Sequence, residues 1–176
     1  MIKAVGLFSG GLDSMLAVKL MKEQGIDVDV LRYRLGFEPL RIRRLTKKLG
    51  NEVSEEEIEQ QLGVNIQHPD VAEEFLQIVL HPKHGYGSAM NPCIDCKIFI
   101  LKKAKEYMEA HDAQLVFTGE VLGQRPMSQH RQTLLQIEKA SGLQGYLLRP
   151  LSAKLLEPTI PEQKGWVVRE QLLNIS

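Results

Sequence analysis

Residues 2–14, with the sequence IKAVGLFSGGLDS, decide the fold that this chain is expected to adopt. The apolar run 2–7 predicts a buried parallel strand, and the pattern that follows predicts a helix over 14–24, closed by Gly25. A strand that turns through two glycines into a helix leaves backbone N–H groups unpaired and directed at one point, where the helix dipole also favours an anion. The stretch therefore predicts a phosphate-binding loop made of Ser9, Gly10, Gly11, Leu12, Asp13 and Ser14.

Asp13 is the most informative residue of this loop. Its carboxylate would repel a phosphate unless a divalent cation lay between them, so it predicts a ligand of Mg²⁺. Ser9 and Ser14 add hydroxyl donors. The simpler interpretation is a glycine turn with Ser14 as the N-cap of the helix. The loop is neither a Walker loop, since no Gly-Lys-Ser/Thr follows, nor a dinucleotide fingerprint, since the third glycine is missing.

The composition is that of one compact domain. The chain has 176 residues, 43% of them hydrophobic, which is enough for a sizeable core. No apolar run approaches the ~20 residues of a membrane span, and the N-terminus has no signal-peptide pattern. We therefore expect a cytoplasmic protein with no membrane partner. In that reducing compartment the two cysteines are expected to be reactive or metal-bound rather than joined in a disulfide.

Charge is balanced over the whole chain but not along it. Lys plus Arg and Asp plus Glu number 22 each, so the net charge gives no argument for a nucleic-acid partner. Residues 32–48, however, are strongly basic, and an acidic run follows them. The basic run is expected to be either a solvated helix face or a surface for a phosphate backbone. Its basic residues are Arg32, Arg34, Arg41, Arg43, Arg44, Lys47 and Lys48, against the single acid Glu38.

Strands and helices alternate along the rest of the chain. Further strands are predicted at 28–33, 64–67, 115–118 and 146–148. Further helices are predicted at 41–49, at 54–62 with a capping box of Ser54 and Glu57, and at 70–79, 93–111, 128–141 and 166–173. This alternation predicts an α/β fold, a single domain with a doubly wound parallel sheet whose ligands bind at the carboxyl ends of the strands. The glycine loop and a second polar loop, 119–126, both follow such ends.

Cys93 and Cys96 lie three residues apart in the first turn of a predicted helix, and therefore on one side of it. The helix dipole and Lys97 are both expected to favour the thiolate form, which a nucleophile or a metal ligand requires. Three functional interpretations remain open: a zinc site completed by His81 and His84, a dithiol that carries or resolves a persulfide, and an iron–sulfur cluster. The cluster would need a ligand from elsewhere, since the chain has no third cysteine. The alternative is two ordinary small residues at a helix start.

Three motifs resemble those of a known family. Residues 9–14 match at every position the pyrophosphate loop, Ser-Gly-Gly-x-Asp-Ser, of the ATP pyrophosphatases, enzymes that cleave ATP to AMP and pyrophosphate. The segment Asn91-Pro92-Cys93-x-x-Cys96-Lys97 is similar to that of the tRNA 2-thiouridylases. The segment Gly119-Glu120-x-Leu122-Gly123-Gln124, with Ser128-Gln129, is similar to that of the tRNA 4-thiouridine synthetases. Together they resemble the tRNA-thiolating branch of this PP-loop family, which has an adenine nucleotide alpha hydrolase-like (HUP, Rossmann-like) fold.

The resemblance implies an ATP-dependent sulfurtransferase that uses ATP and Mg²⁺. The phosphates of ATP would lie on the loop 9–14, with Mg²⁺ joining them to Asp13. A carbonyl oxygen of a tRNA uridine would attack the α-phosphate and release pyrophosphate, after which sulfur would displace AMP, with Cys93 or Cys96 as the carrier. The second loop would close over the adenylate, near the base or the α-phosphate, through Gly119, Glu120, Gln124, Ser128 and Gln129. For Gln124, Ser128 and Gln129, the alternative is an ordinary helix that follows a loop and is capped by Ser128.

The expected organisation is a PP-loop domain over residues 1–155 and a tail over 156–176 with a short helix, either leading to a missing domain or ending the protein. The thiouridine synthetases carry an extra RNA-binding domain, and the 2-thiouridylases use two cysteines far apart, unlike this chain. The expected partners are therefore tRNA, a sulfur donor protein or sulfide, and an RNA-binding domain, a subunit or a second copy of the chain. Two alternatives remain: sulfur insertion into or amidation of a small molecule, and a nucleotide-binding module that needs a partner for activity.

Overall fold

The computed structural model describes residues 1–36, 54–87, 92–125 and 128–176. They form a sheet of five parallel strands in the order β3-β2-β1-β4-β5, which confirms the predicted doubly wound α/β domain. The strands are β1 (Lys3–Leu7), β2 (Asp27–Leu31), β3 (Ile66–Gln67), β4 (Leu115–Thr118) and β5 (Leu147–Leu148). The helices are α1 (Leu12–Glu23), α2 (Glu55–Leu62), α3 (Ala72–Leu80), α4 (Cys93–Ala110), α5 (Arg131–Ser141) and α6 (Ile160–Gln163), with 3₁₀ turns at Ala153–Leu155 and Arg169–Gln171.

Both faces of the sheet are covered, which explains why its central strands are continuous apolar runs. Ala4 of β1 faces a core cluster that contains residues of α1 and α2, whereas Val5 faces a second cluster formed with α4 and α5. The chain passes outward from β1 in both directions, to β2 and β3 on one side and to β4 and β5 on the other. Parallel sheets of this kind bind ligands where the strand order reverses, outside the carboxyl ends of the strands. Here that point lies between β1 and β4.

The ends of the helices follow local sequence signals in most places. The predicted capping box of α2 is confirmed: Ser54 Oγ accepts from the Glu57 N–H, and Glu57 Oε2 accepts from the Ser54 N–H. The helix α1 begins two residues earlier than predicted, with Gly11 as its N-cap and no side-chain cap. The interpretation of Ser14 as an N-cap is therefore wrong.

Two predicted helix starts are displaced along the chain. The helix α5 begins at Arg131 with His130 as its N-cap, so Ser128 does not start it. Ser128 and Gln129 are instead buried in the approach to the helix. The helix α3 begins at Ala72, whose N–H donates to the side chain of Asp70 at 3.0 Å.

The predicted tail helix over 166–173 is wrong, because the tail pairs its backbone with the chain that leaves β5. The N–H of Leu173 donates to the carbonyl of Pro150, and that of Ile175 to the carbonyl of Leu151. These bonds require an extended tail. The only α-helical segment described in the tail is α6, and Leu172 is buried against the core cluster under α1.

Some expectations fall outside the described residues. The predicted basic helix 41–49 lies there, and of the basic run only Arg32 and Arg34 are described. Asn91 of the cysteine segment is outside as well. Within the described ranges, no helix combines the length and the apolar character that crossing a membrane requires.

Candidate active site

A cleft of about 470 Å³ lies over the carboxyl ends of β1, β2 and β4. One of its walls is the glycine loop after β1, and the opposite wall combines the start of α4 with the loop after β4. The cleft brings together most of the sequence-predicted site residues: Ser9, Gly11, Asp13, Ser14, Cys96, Gly119, Glu120, Gln124 and Gln129. Four others do not line it: Gly10, Leu12, Cys93 and Ser128.

Ser14 organises the glycine loop from within. Its hydroxyl donates to the carbonyl of Gly11 at 2.7 Å and accepts from the N–H of Ser9 at 3.4 Å. The Ser9 hydroxyl donates to the hydroxyl oxygen of Ser14 at 3.3 Å. Ser14 is only 3% exposed. Its hydroxyl thus fixes the path of the loop, so that backbone N–H groups rather than this side chain are left for an anion.

Two glycines permit this arrangement. Gly10 has a φ of 81°, a left-handed conformation that side chains disfavour. At Gly119 a Cβ would lie 2.6 Å from the backbone nitrogen of Ser14, so any side chain there would collide with the first turn of α1. The loop after β4 therefore packs backbone to backbone against the start of α1.

Asp13 faces the cleft and connects its two loops. One carboxylate oxygen accepts a hydrogen bond from Gln124 Nε2 at 3.2 Å. Among residues 1–36, 54–87, 92–125 and 128–176, no cation forms an ion pair with this carboxylate, so its charge is uncompensated. A carboxylate oxygen without a cationic partner fits the ligand preference of Mg²⁺.

The two cysteines differ in their relation to the cleft. Both are free and half-buried, but only Cys96 lines it. Burial raises the pKa of the Cys96 thiol to about 11, with a smaller contribution from Cys93 in the same direction and an opposing one from Lys97. The prediction that the thiolate form is favoured is therefore wrong for Cys96. The reason is that burial raises the pKa by more than the neighbouring Lys97 lowers it.

The predicted zinc site is not assembled in the part of the chain that the structure describes, where no three His, Cys, Asp or Glu side chains lie close enough to share a metal ion. His84 is held by Asp95 instead, with its Nδ1 2.8 Å from Oδ1 and its backbone N–H donating to Oδ2 at 2.8 Å. Asp95 is 7% exposed. An iron–sulfur cluster likewise finds only two thiols and no third ligand there. The described residues therefore fit neither group.

A chain of buried ion pairs, not predicted from the sequence, supports the cysteine wall. Lys97 pairs with Glu120, whose Oε2 lies 3.2 Å from Arg149 Nε, and Arg149 Nη1 lies 3.0 Å from Glu138 Oε2. Burial alone would raise the pKa of Glu120, but Arg149 and Lys97 together hold it below its usual value. The only sequence signal for Arg149 is its position directly after an apolar strand.

The fold and the cleft define an α/β nucleotide-binding domain with a pyrophosphate-type loop. The profile of the family described as "tRNA methyl transferase HUP domain" matches residues 2–166. The chain belongs to this family, within the tRNA-thiolation branch of the PP-loop ATP pyrophosphatases.

Its relatives agree with that membership. A protein named "Probable tRNA sulfurtransferase" from Thermococcus kodakarensis is 28% identical over 149 residues, which cover 85% of this chain and 36% of that protein. A 4-thiouridine synthetase in complex with RNA and bound ATP superposes with a TM-score of 0.56 at 20% identity, over 78% of this chain and 34% of the other. A "predicted subunit of tRNA methyltransferase" from Methanocaldococcus jannaschii superposes with a TM-score of 0.52 at 19% identity, over 85% of this chain and 69% of the other. The two structures show the shared fold, and the chain spans about a third of the length of the curated relative.

Proposed function

We propose that this chain carries out the ATP-dependent activation and sulfuration of a tRNA uridine. It would cleave ATP to pyrophosphate, transfer AMP to a carbonyl oxygen of the base, and replace that oxygen with sulfur. One observation carries the proposal: a single cleft holds the glycine loop, the uncompensated carboxylate of Asp13 and the thiol of Cys96. A nucleotide held on the first wall would thus face a sulfur carrier on the second.

The glycine loop is the proposed site for the phosphates. Its backbone N–H groups and the start of α1 favour an anion, and Gly10 lets the phosphate approach the main chain. Asp13 would hold Mg²⁺, with Gln124 orienting its carboxylate. When bound, Mg²⁺ supplies positive charge to the triphosphate. Gln129 is buried and lines the same cleft, and its amide is proposed to contact the base.

The sulfur step is proposed for the two cysteines. A persulfide donor passes its outer sulfur to one thiol and leaves as a thiol. The outer sulfur of the cysteine persulfide then attacks the adenylated carbon, and AMP departs with the former carbonyl oxygen. The second cysteine attacks the sulfur of the first, releasing the thiolated base and forming a disulfide between Cys93 and Cys96. A thiol reductant returns this disulfide to two thiols.

Capture of tRNA is proposed to need more than the described surface. Because the chain spans about a third of the curated relative, an RNA-binding domain, a second subunit or a second copy of the chain would complete the enzyme. Within this chain, residues 1–155 are proposed to carry the reaction in the cytoplasm. Electrophoretic mobility shifts with tRNA measure whether the chain alone binds RNA. The mass of the protein in solution shows whether it forms a complex with a second copy of itself.

The test of the reaction is pyrophosphate release from Mg²⁺-ATP in the presence of transcribed tRNA and a persulfide donor. Asp13→Asn should lower the rate by roughly a hundredfold or more, since the charge that holds the cation is lost. The matched control is Asp27→Asn, which removes an exposed carboxylate at the opposite, amino end of β2. Cys96→Ser should keep pyrophosphate release and lose thiolated uridine, measured by mass spectrometry of the digested tRNA.

Three outcomes would contradict the proposal. Equal rates of pyrophosphate release by Asp13→Asn and wild type would show that Asp13 does not hold a cation needed for the reaction. Release that depends on a small-molecule acceptor and ignores tRNA would favour the small-molecule reaction. Binding of ATP with no turnover, although the mobility shift shows that the tRNA is bound, would leave a nucleotide-binding module.

A further inference from the structure

Arg32 lies directly beside the glycine loop. It follows β2, the neighbour of β1, and its backbone N–H donates to the carbonyl of Gln67, which holds it at the carboxyl edge of the sheet. Its guanidinium lies over Gly10: a Cβ on that glycine would be 3.6 Å from Nη1, 3.7 Å from Cζ and 3.8 Å from Nη2. The side chain also lines the cleft. A cation is thus placed against the loop proposed to hold phosphate.

Within the described residues, only a weak contact neutralises this cation. Nη1 lies 3.5 Å from Glu55 Oε2, longer than an ordinary charge-assisted hydrogen bond. The other oxygen of Glu55 lies 3.3 Å from His68 Nε2, so this carboxylate is shared between two basic groups. In the described part of the chain, Arg32 Nη2 has no hydrogen-bond partner. The guanidinium therefore keeps donors free for a second anion.

The remaining basic groups of the cleft are less suited to that anion. Lys97 is paired with Glu120 on the opposite wall. Arg125 lies in the exposed loop after β4. The glycine loop itself contains no lysine, in contrast to a Walker loop. Arg32, by contrast, lies against Gly10 of the loop.

We infer that Arg32 binds the pyrophosphate end of ATP and exchanges Glu55 for it when the nucleotide arrives. The inference rests on the proposed function. As the bond between the α-phosphorus and the bridging oxygen breaks, its electron pair stays with the departing pyrophosphate, and the guanidinium stabilises the charge that collects there. Glu55 acts as a positioning residue, which keeps the guanidinium beside Gly10 in the absence of nucleotide.

The experiment is calorimetric binding of four probes in Mg²⁺ buffer: ATP, inorganic pyrophosphate, AMP and adenosine. Arg32→Ala should weaken the binding of ATP and pyrophosphate by roughly tenfold or more, which is the effect of one lost charge-assisted contact. The affinities for adenosine and AMP should stay within about twofold of the wild-type values. Arg32→Lys should recover part of the loss, because a point charge replaces the planar guanidinium. Glu55→Gln should tighten pyrophosphate, because the competing carboxylate is gone.

Lys19→Ala is the charge-matched control, since Lys19 is exposed on α1 and, among the described residues, pairs only with Glu23. Thermal melting of each variant reports whether it is folded. Unchanged pyrophosphate affinity in Arg32→Ala would overturn the inference, and so would an equal loss for adenosine, which would indicate a contact with the nucleoside. Glu55→Gln with weaker pyrophosphate binding would also overturn it. If wild type cleaves ATP and Arg32→Ala matches it, only the inference fails; if wild type binds no ATP, the proposed function fails first.

Discussion

The two walls of the cleft are built in different ways. The glycine loop is held by contacts among residues 9–14, and its decisive bonds join positions five or fewer apart. The cysteine wall depends on side chains from four separate segments, linked through Glu120 and Arg149. The first wall presents the start of α1, whose first-turn N–H groups have no partner within the helix, to an anion. The second wall keeps its charges paired, and burial raises the pKa of its Cys96 thiol to about 11, so this thiol would have to lose its proton or be converted before the proposed sulfur transfer.

This difference separates a proposed phosphate site, whose loop is held by its own hydrogen bonds, from a proposed sulfur site, whose thiol has a raised pKa. The proposed sulfur transfer would require deprotonation of that thiol, or its conversion to a persulfide, which is a stronger acid than a thiol. The following predictions test this contrast, beginning with the largest expected effect.

Glu120→Gln should strongly weaken the cysteine wall. It leaves Lys97 without its partner and Arg149 with only Glu138, and breaking a buried ion pair costs about 3 to 5 kcal/mol of unfolding free energy. Urea unfolding followed by circular dichroism measures the loss. Glu23→Gln on exposed α1 is the control and should change the free energy by less than about 1 kcal/mol. Equal small losses in both variants would show that the network contributes no stability.

The pH dependence sharpens this test. The pKa of Glu120 in the folded protein lies below its ordinary value of 4.5, so the unfolded chain binds more protons in acid. The stabilising contribution is therefore fully present above about pH 4.5 and is lost as the pH falls through the folded pKa. The difference in unfolding free energy between wild type and Glu120→Gln should shrink over that range. A difference that grows in acid would contradict the assigned direction.

Cys96 should react slowly with an alkylating agent. With a pKa of about 11, its thiolate fraction at pH 8 is about a hundred times lower than that of a thiol with the ordinary value of 9.0. The measurement is the iodoacetamide rate against pH in the Cys93→Ser variant, which leaves Cys96 as the only thiol. The rate should keep rising beyond pH 9. A plateau near pH 7 would show that Lys97 activates the thiol after all.

Gly119→Ala should affect both walls at once. The added Cβ would lie 2.6 Å from the Ser14 nitrogen and 2.7 Å from its Cα, so the loop after β4 must move away from α1. Overpacking of this kind costs about 1 to 3 kcal/mol of unfolding free energy. Gly11→Ala is the comparison, because its Cβ would meet only the Ser9 hydroxyl, at an ordinary 3.5 Å. Equal stability of the two variants, measured by urea unfolding, would show that a side chain at residue 119 does not collide with the start of α1.

Features encoded within a few residues could be predicted from the sequence. The strand, loop and helix around residues 9–14, the capping box of Ser54 and Glu57, and the start of α4 all follow from short-range rules. The parallel arrangement of the strands followed from their alternation with helices, since parallel strands need crossover connections.

Features that depend on distant contacts could not be predicted. Lys97 was expected to favour the thiolate, but burial of the Cys96 thiol, which depends on the packing of distant segments, raises its pKa by more. The tail was expected to be helical over 166–173, whereas its backbone pairs with Pro150 and Leu151. Ser128 was expected to cap a helix, but it is buried before the helix begins. In each case a tertiary contact outweighed a correct local preference.

The bare contact between Gly119 and the first turn of α1 has a consequence for how this cleft can vary. It sets the distance between the two loops through main-chain atoms, since Gly119 has no side chain. Side chains beyond Gly119 can then be exchanged without a change in that distance. Relatives are expected to keep a glycine at this junction and to diversify the segment that follows it.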